Sequence, residues 1–141
     1  AARCLANAGV AFVDVAGAGG TSWSQVEKFR NGDQVRRDAA EAFADWGNPT
    51  AECIREVRAR DADLPIIASG GLLTGVDAAK CIALGADMAG FGRSLLRDAT
   101  LSIDALEDRL ARTELELKTA MFGIGAGRIA ALKATDRLVG R

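Results

Sequence analysis

The stretch Gly17-Ala18-Gly19-Gly20-Thr21-Ser22-Trp23 places three glycines beside two hydroxyls and an indole. Glycine lets the main chain approach a planar or anionic ligand, the hydroxyls offer hydrogen bonds, and Trp23 adds a flat apolar wall. Two further turns have related chemistry. Ser69-Gly70-Gly71 precedes a helix-opening segment, and Gly92-Arg93 closes the next apolar run. Such turns leave backbone N–H groups open, a following helix adds positive potential, and Arg93 can present a guanidinium fork; together they suit phosphate. Purely structural turns would also carry these residues. Asp14 lies inside an apolar run, where an unpartnered carboxylate is costly. Either a neighbouring Lys or backbone amides hold it, or it meets a cofactor.

Composition narrows the chemistry further. The 141 residues contain no His, and 18 Lys+Arg stand against 19 Asp+Glu for a net charge of −1. No Ser-His-Asp triad, Cys-His pair, HExxH zinc site or histidine-bound haem can be built from this chain alone. Catalysis must use carboxylates, Lys, Cys or a cofactor. The balanced charge argues against a basic nucleic-acid-binding module, and 49% hydrophobic residues are ample for a packed core. Cys4, Cys53 and Cys81 are odd in number and form no CxxC, which reads as buried free thiols in a reducing compartment. No signal segment and no apolar run near the roughly 20 residues of a membrane span is visible, so the expectation is a cytoplasmic protein without a membrane partner. Asn48-Pro49-Thr50 is no glycosylation sequon, because Pro occupies its middle position.

Three apolar runs must position the turns. Val10–Val15 leads into Gly17, Leu64–Ser69 into Gly70, and Asp87–Phe91 into Gly92. Each lacks polar alternation, as in parallel strands covered on both faces. Helices are expected between them. Ala1–Asn7 reads as the end of one, closed near Gly9. Asn48-Pro49 reads as N-cap and first position of a second, carrying Ile54, Val57 and the Arg58 stem. Thr74 and Asp77 have capping-box spacing for a third, with Gly85 as its stop. Arg30–Asp38 reads as a charged surface loop or, at a barrel mouth, a lid. Ile103, Leu106, Leu110 and Leu117 mark an amphipathic helix laid against a core. Gly123-Ile124-Gly125-Ala126-Gly127 follows a helix and lacks GxGxxG spacing, so it reads as a helix-to-helix turn.

This order gives an α/β fold with right-handed parallel crossovers. A (β/α)8 barrel and a doubly wound sheet are the rivals. Three strands do not close a barrel, so residues 1–141 are expected to form one part of a larger domain.

Val13-Asp14-Val15-Ala16-Gly17-Ala18-Gly19-Gly20-Thr21-Ser22-Trp23, Asp45-Trp46-Gly47-Asn48-Pro49-Thr50 and Ser69-Gly70-Gly71 with Thr74-Gly75, in this order, resemble the C-terminal part of type 2 isopentenyl-diphosphate delta-isomerases. The first two elements are specific to that family; the third is shared among flavin-binding barrels. The resemblance implies an FMN-dependent TIM (β/α)8 barrel, with this chain contributing strands 6–8 and flanking helices. It implies that Thr21 contacts FMN, that Gly70, Gly71, Leu72, Gly92 and Arg93 cradle its phosphate, and that Trp23 lies near the isoprenoid pocket. Two departures stand out: Ala16 where the family often has Ser, and Leu73 where it often has Arg.

The implied reaction interconverts isopentenyl and dimethylallyl diphosphate, with reduced FMN as the acid–base cofactor, NADPH as electron source and Mg²⁺ on the diphosphate. The resemblance assigns catalytic residues and metal ligands to an N-terminal half, none to this chain, so the isolated chain is expected to be inactive. It also implies a homo-oligomer. Two alternatives are a hydroxy-acid dehydrogenase relative, which the missing His opposes, and a non-catalytic half-barrel that binds flavin or phosphate weakly or self-associates.

Overall fold

The computed structural model describes residues 2–139. Among them the order is α1 (Ala2–Asn7), β1 (Val13–Asp14), α2 (Trp23–Arg30), α3 (Gln34–Glu41), α4 (Thr50–Arg60), β2 (Ile66–Ala68), α5 (Gly75–Ala83), β3 (Met88–Ala89), α6 (Arg93–Leu101), α7 (Ile103–Gly123) and α8 (Ile129–Lys133). The expected helix start at Ala1 lies outside the described residues. All three strands are parallel and stand in sequence order, with Val13 opposite Ile66 and Ile67 opposite Met88. The order does not reverse, as it would at the switch point of a doubly wound sheet. This α/β arrangement is compatible with part of a barrel.

The strands are shorter than the apolar runs, yet their ladder continues beyond them. Val15 N donates to Ile67 O at 3.1 Å, Gly17 N to Ser69 O at 3.0 Å and Gly90 N to Ala68 O at 2.7 Å. The register sorts the side chains by face. Val13, Ile66 and Ala68 are buried with Ile54, Leu64, Leu72, Cys81 and Ala86 in one core. Burying side chains such as Ile54 and Ile66 contributes about 2 kcal/mol each. Asp14 and Met88 project on the other face and are exposed. Coverage on both faces was expected; among the described residues, helices pack on only one.

Several local signals are met. Thr74 Oγ1 accepts from Asp77 N, and the Asp77 carboxylate accepts from Thr74 N, completing the capping box of α5. Gly85, at φ +112°, closes α5 with bonds from Gly85 N to Ile82 O and from Ala86 N to Cys81 O. That is the double hydrogen bond of a left-handed helix stop. The turn after α7 repeats it through Gly125 and Ala126, as a helix-to-helix connection. Arg58 then ties the layers together. Its guanidinium donates to Gly85 O at 2.7 Å, Leu64 O at 3.1 Å and Asp87 Oδ2 at 3.0 Å.

Other expectations are corrected. Pro49, not Asn48, precedes the first residue of α4, and no side chain caps that end. Arg30–Asp38 is not one loop: its ends belong to α2 and α3, which pack against each other. Asp33 caps α3 by accepting from Val35 N at 2.9 Å. On α7, Leu117, Ala120 and Met121 pack against the α5–α8 cluster, whereas Ile103 and Leu110 are exposed. Cys81 is buried and Cys53 half-buried, but Cys4 is exposed.

Candidate functional site

The ends of β1 and β2 stand side by side, and their loops meet backbone to backbone. Gly70 holds φ +100° and Gly71 φ +87°. A Cβ on Gly70 would lie 2.1 Å from Gly17 O, and one on Gly71 would lie 2.5 Å from Gly19 O. Backbone conformation and space therefore both demand glycine at these two positions. The sequence suggests glycines that make room for a ligand; the structure shows that they first make room for each other.

A third segment completes the corner. Ala18 N donates to Asn48 O at 2.8 Å, and Ala18 forms a parallel bridge with Pro49. The buried Thr50 donates its hydroxyl to Gly70 O at 2.6 Å, with Ser69 O at 3.1 Å. Asp14 is held by an amide and a hydroxyl rather than a Lys: its Oδ1 accepts from Ala16 N at 3.0 Å and Ser69 Oγ at 2.6 Å. Ala16 stands in the left-handed region at φ +38°, unusual for a residue with a side chain.

The two helix starts near the loops differ in what they leave open. At α5 the amides of Leu73, Thr74, Gly75 and Asp77 are occupied. The Asp77 carboxylate accepts from Leu73 N and Thr74 N, and Glu116 Oε2 accepts from Gly75 N at 2.8 Å. Burial pushes the Asp77 carboxyl up, but the Leu73 amide and the Thr74 hydroxyl and amide outweigh it and hold it below its ordinary value. Glu116 is likewise held low, chiefly by the Gly75 amide and then by Arg112. The expectation that the α5 dipole serves an anion is thus corrected, because Asp77 of α5 and Glu116 of α7 already face that end. By contrast α6 opens on Gly92 with no side-chain cap. Among the described residues, the amides of Gly70, Gly71, Leu72, Gly92 and Arg93 have no acceptor.

Thr21, Trp23, Gly70, Gly71, Leu72, Gly92 and Arg93 all line one cleft of about 430 Å³. Three turns far apart in sequence thus converge on a single space. Leu72 turns its side chain into the core, so only its main chain is available there. Trp23, 75% exposed as the first residue of α2, stands where this cleft meets a neighbouring one of about 830 Å³. The second cleft extends to Phe43 and Trp46, whose rings pack edge to face at 5.6 Å. Leu73 also lines the first cleft, and Arg109 of α7 donates to Leu73 O at 2.6 Å. Thr50 and Arg109 draw no individual role from the sequence, and Ser69 only a place in its glycine turn; Thr50 stands inside the Asn48-Pro49-Thr50 motif.

An anion held by this cleft would meet unengaged amides, an uncapped helix start and the Arg93 guanidinium. Ser94 Oγ, in the first turn of α6, is buried without a hydrogen-bond partner. A flavin mononucleotide phosphate fits that donor set.

The family model described as FMN-dependent dehydrogenase matches residues 1–138. A curated relative from Oceanobacillus iheyensis, named isopentenyl-diphosphate delta-isomerase, is 52% identical over 137 residues, 97% of this chain and 39% of the relative. Relatives of the same name from Vibrio campbellii and Xanthobacter autotrophicus are 45% and 50% identical, over 97% and 94% of this chain and 40% and 38% of their own lengths. The chain spans about two fifths of the length of the curated relatives it matches. By the family match over nearly its whole length, the chain belongs to the FMN-dependent dehydrogenase family.

Proposed function

We propose that these residues form strands 6–8 of an FMN-dependent (β/α)8 barrel that interconverts isopentenyl and dimethylallyl diphosphate. The observation that carries this reading is the convergence of seven candidate residues from three turns on one cleft. The names of relatives at 45–52% identity support the isomerase over a hydroxy-acid dehydrogenase. The chain also contains no His to act as the base of hydroxy-acid oxidation.

Reduced FMN, when bound, supplies the acid–base chemistry of the double-bond shift. The amides of Gly70, Gly71, Leu72 and Gly92 and the Arg93 guanidinium hold its phosphate. The Thr21 hydroxyl contacts the flavin, while Trp23 forms an apolar wall for the isoprenoid chain and excludes water. Asp14 stays engaged with Ser69 and keeps the strand ends in register. NADPH as reductant and Mg²⁺ on the substrate diphosphate belong to the same reading, with the Mg²⁺ ligands outside this chain. A cytoplasmic homo-oligomer accompanies it; β1 and β3 each have one unpaired edge among the described residues. No helix of the described residues is long and apolar enough to cross a membrane.

The test is a hybrid in which this chain replaces the matching stretch of the Oceanobacillus iheyensis relative. The hybrid is expected to bind FMN and form dimethylallyl diphosphate, while the 141-residue polypeptide alone forms none. A folded hybrid that binds FMN without isomerising the substrate would refute the assignment of activity. Turnover by the polypeptide alone would refute the division of labour.

A further inference from the structure

Thr50 is the buried polar residue of the core among the described residues, and its hydroxyl does nothing for its own helix. At the first position of α4 it reaches across to the β2 loop. It donates to Gly70 O at 2.6 Å, with Ser69 O as second acceptor at 3.1 Å, and Gly17 N, in the loop after β1, fixes Ser69 O. The described chain has no cis peptide. In a planar trans peptide, a carbonyl and the N–H of the next residue point in opposite directions. Holding Ser69 O and Gly70 O toward α4 therefore turns the N–H groups of Gly70 and Gly71 away from it. Both glycines line the cleft, and Thr50 is not among its lining residues. Gly20 keeps the same side open: a Cβ there would sit 3.1 Å from Gly71 N.

We infer that Thr50 is a positioning residue, which aims the Gly70 and Gly71 amides at the phosphate of the ligand. The inference rests on the proposed flavin-phosphate reading. Without the hydroxyl, Gly70 O loses its donor and the Gly70–Gly71 peptide plane is free to rotate while Gly17 N still holds Ser69 O, so the Gly71 amide no longer converges with that of Gly70.

Riboflavin, which has the flavin ring without the phosphate, separates this role from simple packing. The full chain and its Thr50→Val and Thr50→Ser variants are titrated with FMN and with riboflavin, following flavin fluorescence. The expected result is a preference for FMN that falls about tenfold in Thr50→Val, through weaker FMN binding alone, and returns in Thr50→Ser. The ³¹P resonance of bound FMN should shift in Thr50→Val and recover in Thr50→Ser. Equal weakening of FMN and riboflavin, or an unchanged preference and resonance, would overturn the role of Thr50. No FMN preference in the unaltered chain would instead overturn the phosphate reading, and this inference with it. Should Thr50→Val not fold, Thr50→Ala is read against Thr50→Ser by the same criteria.

Discussion

Asp14 Oδ1 accepts the Ser69 hydroxyl at 2.6 Å, joining the tips of two neighbouring parallel strands on the face opposite the helices. The same oxygen accepts Ala16 N at 3.0 Å and so holds Ala16 at φ +38°. One carboxylate thereby fixes both the β2 end and the entry to the β1 loop. This lets the loops present their amides without being ordered by a ligand, and pre-ordering of that kind strengthens binding.

The strain at Ala16 is measurable. Ala16→Gly should raise stability to urea by about 1 kcal/mol, because a left-handed conformation penalises a Cβ by that order. Asp14→Ala should lower it by about 1 kcal/mol through loss of the two hydrogen bonds. A urea midpoint that falls in Ala16→Gly would show that the backbone there is unstrained.

Glycines of the three turns should differ sharply in tolerance. Gly70→Ala drives a Cβ to within 2.1 Å of Gly17 O at a positive φ, and the expected cost is about 3 kcal/mol or more. Gly92 has nothing within 4 Å of a built Cβ, so Gly92→Ala should change stability by less than about 0.5 kcal/mol. Thermal melts of the two variants check the contrast.

Acid should destabilise the protein through its paired carboxylates. Burial pushes the Asp87 carboxyl up, but Lys133, the Ile66 amide and Arg58 together hold it low, as the capping bonds hold Asp77 low. A carboxyl held low in the folded state binds fewer protons than in the unfolded chain, so stability rises with pH through that range. The contribution is complete above the unfolded values, about pH 4, and disappears as pH falls through the lower folded values. Urea midpoints between pH 2 and 6 should show this slope, and Asp87→Asn should flatten it.

Thiol reagents should find one fast site. Cys4 is exposed, whereas burial pushes the Cys81 thiol up, and burial followed by Glu56 and Glu52 pushes Cys53 up. A chromogenic disulfide at neutral pH should label Cys4 quickly, the half-buried Cys53 more slowly and Cys81 only on unfolding. Cys4→Ser should remove the fast phase.

Trp23 tests the division between flavin and substrate. In the hybrid enzyme, Trp23→Ala should raise KM for the diphosphate while flavin content stays near that of the parent. Loss of flavin would assign the residue to folding instead.

Local rules made much of this chain readable. The Thr74–Asp77 capping box, the Gly85 stop and the Gly125 turn depend on residues three to five apart, and the structure keeps all three. Arg30–Asp38 misled because composition records charge, whereas the packing of α2 against α3 depends on geometry formed later. The strand runs were visible as apolar text, but their ends were not. Only the partner strand decides which residues pair.

The sequence by itself determined the α/β order, the three glycine turns and the absence of any histidine chemistry in these residues. Those follow from side-chain type and short-range backbone preference. The tertiary structure alone decided that Gly70 and Gly71 are pressed against Gly17 and Gly19, that Asp14 meets Ser69, and that Thr50 grips the β2 loop. These contacts join residues from 19 to 55 positions apart in the chain. No spacing rule reaches that far; only the parallel pairing of β1 with β2, and the packing of α4 behind them, brings them together.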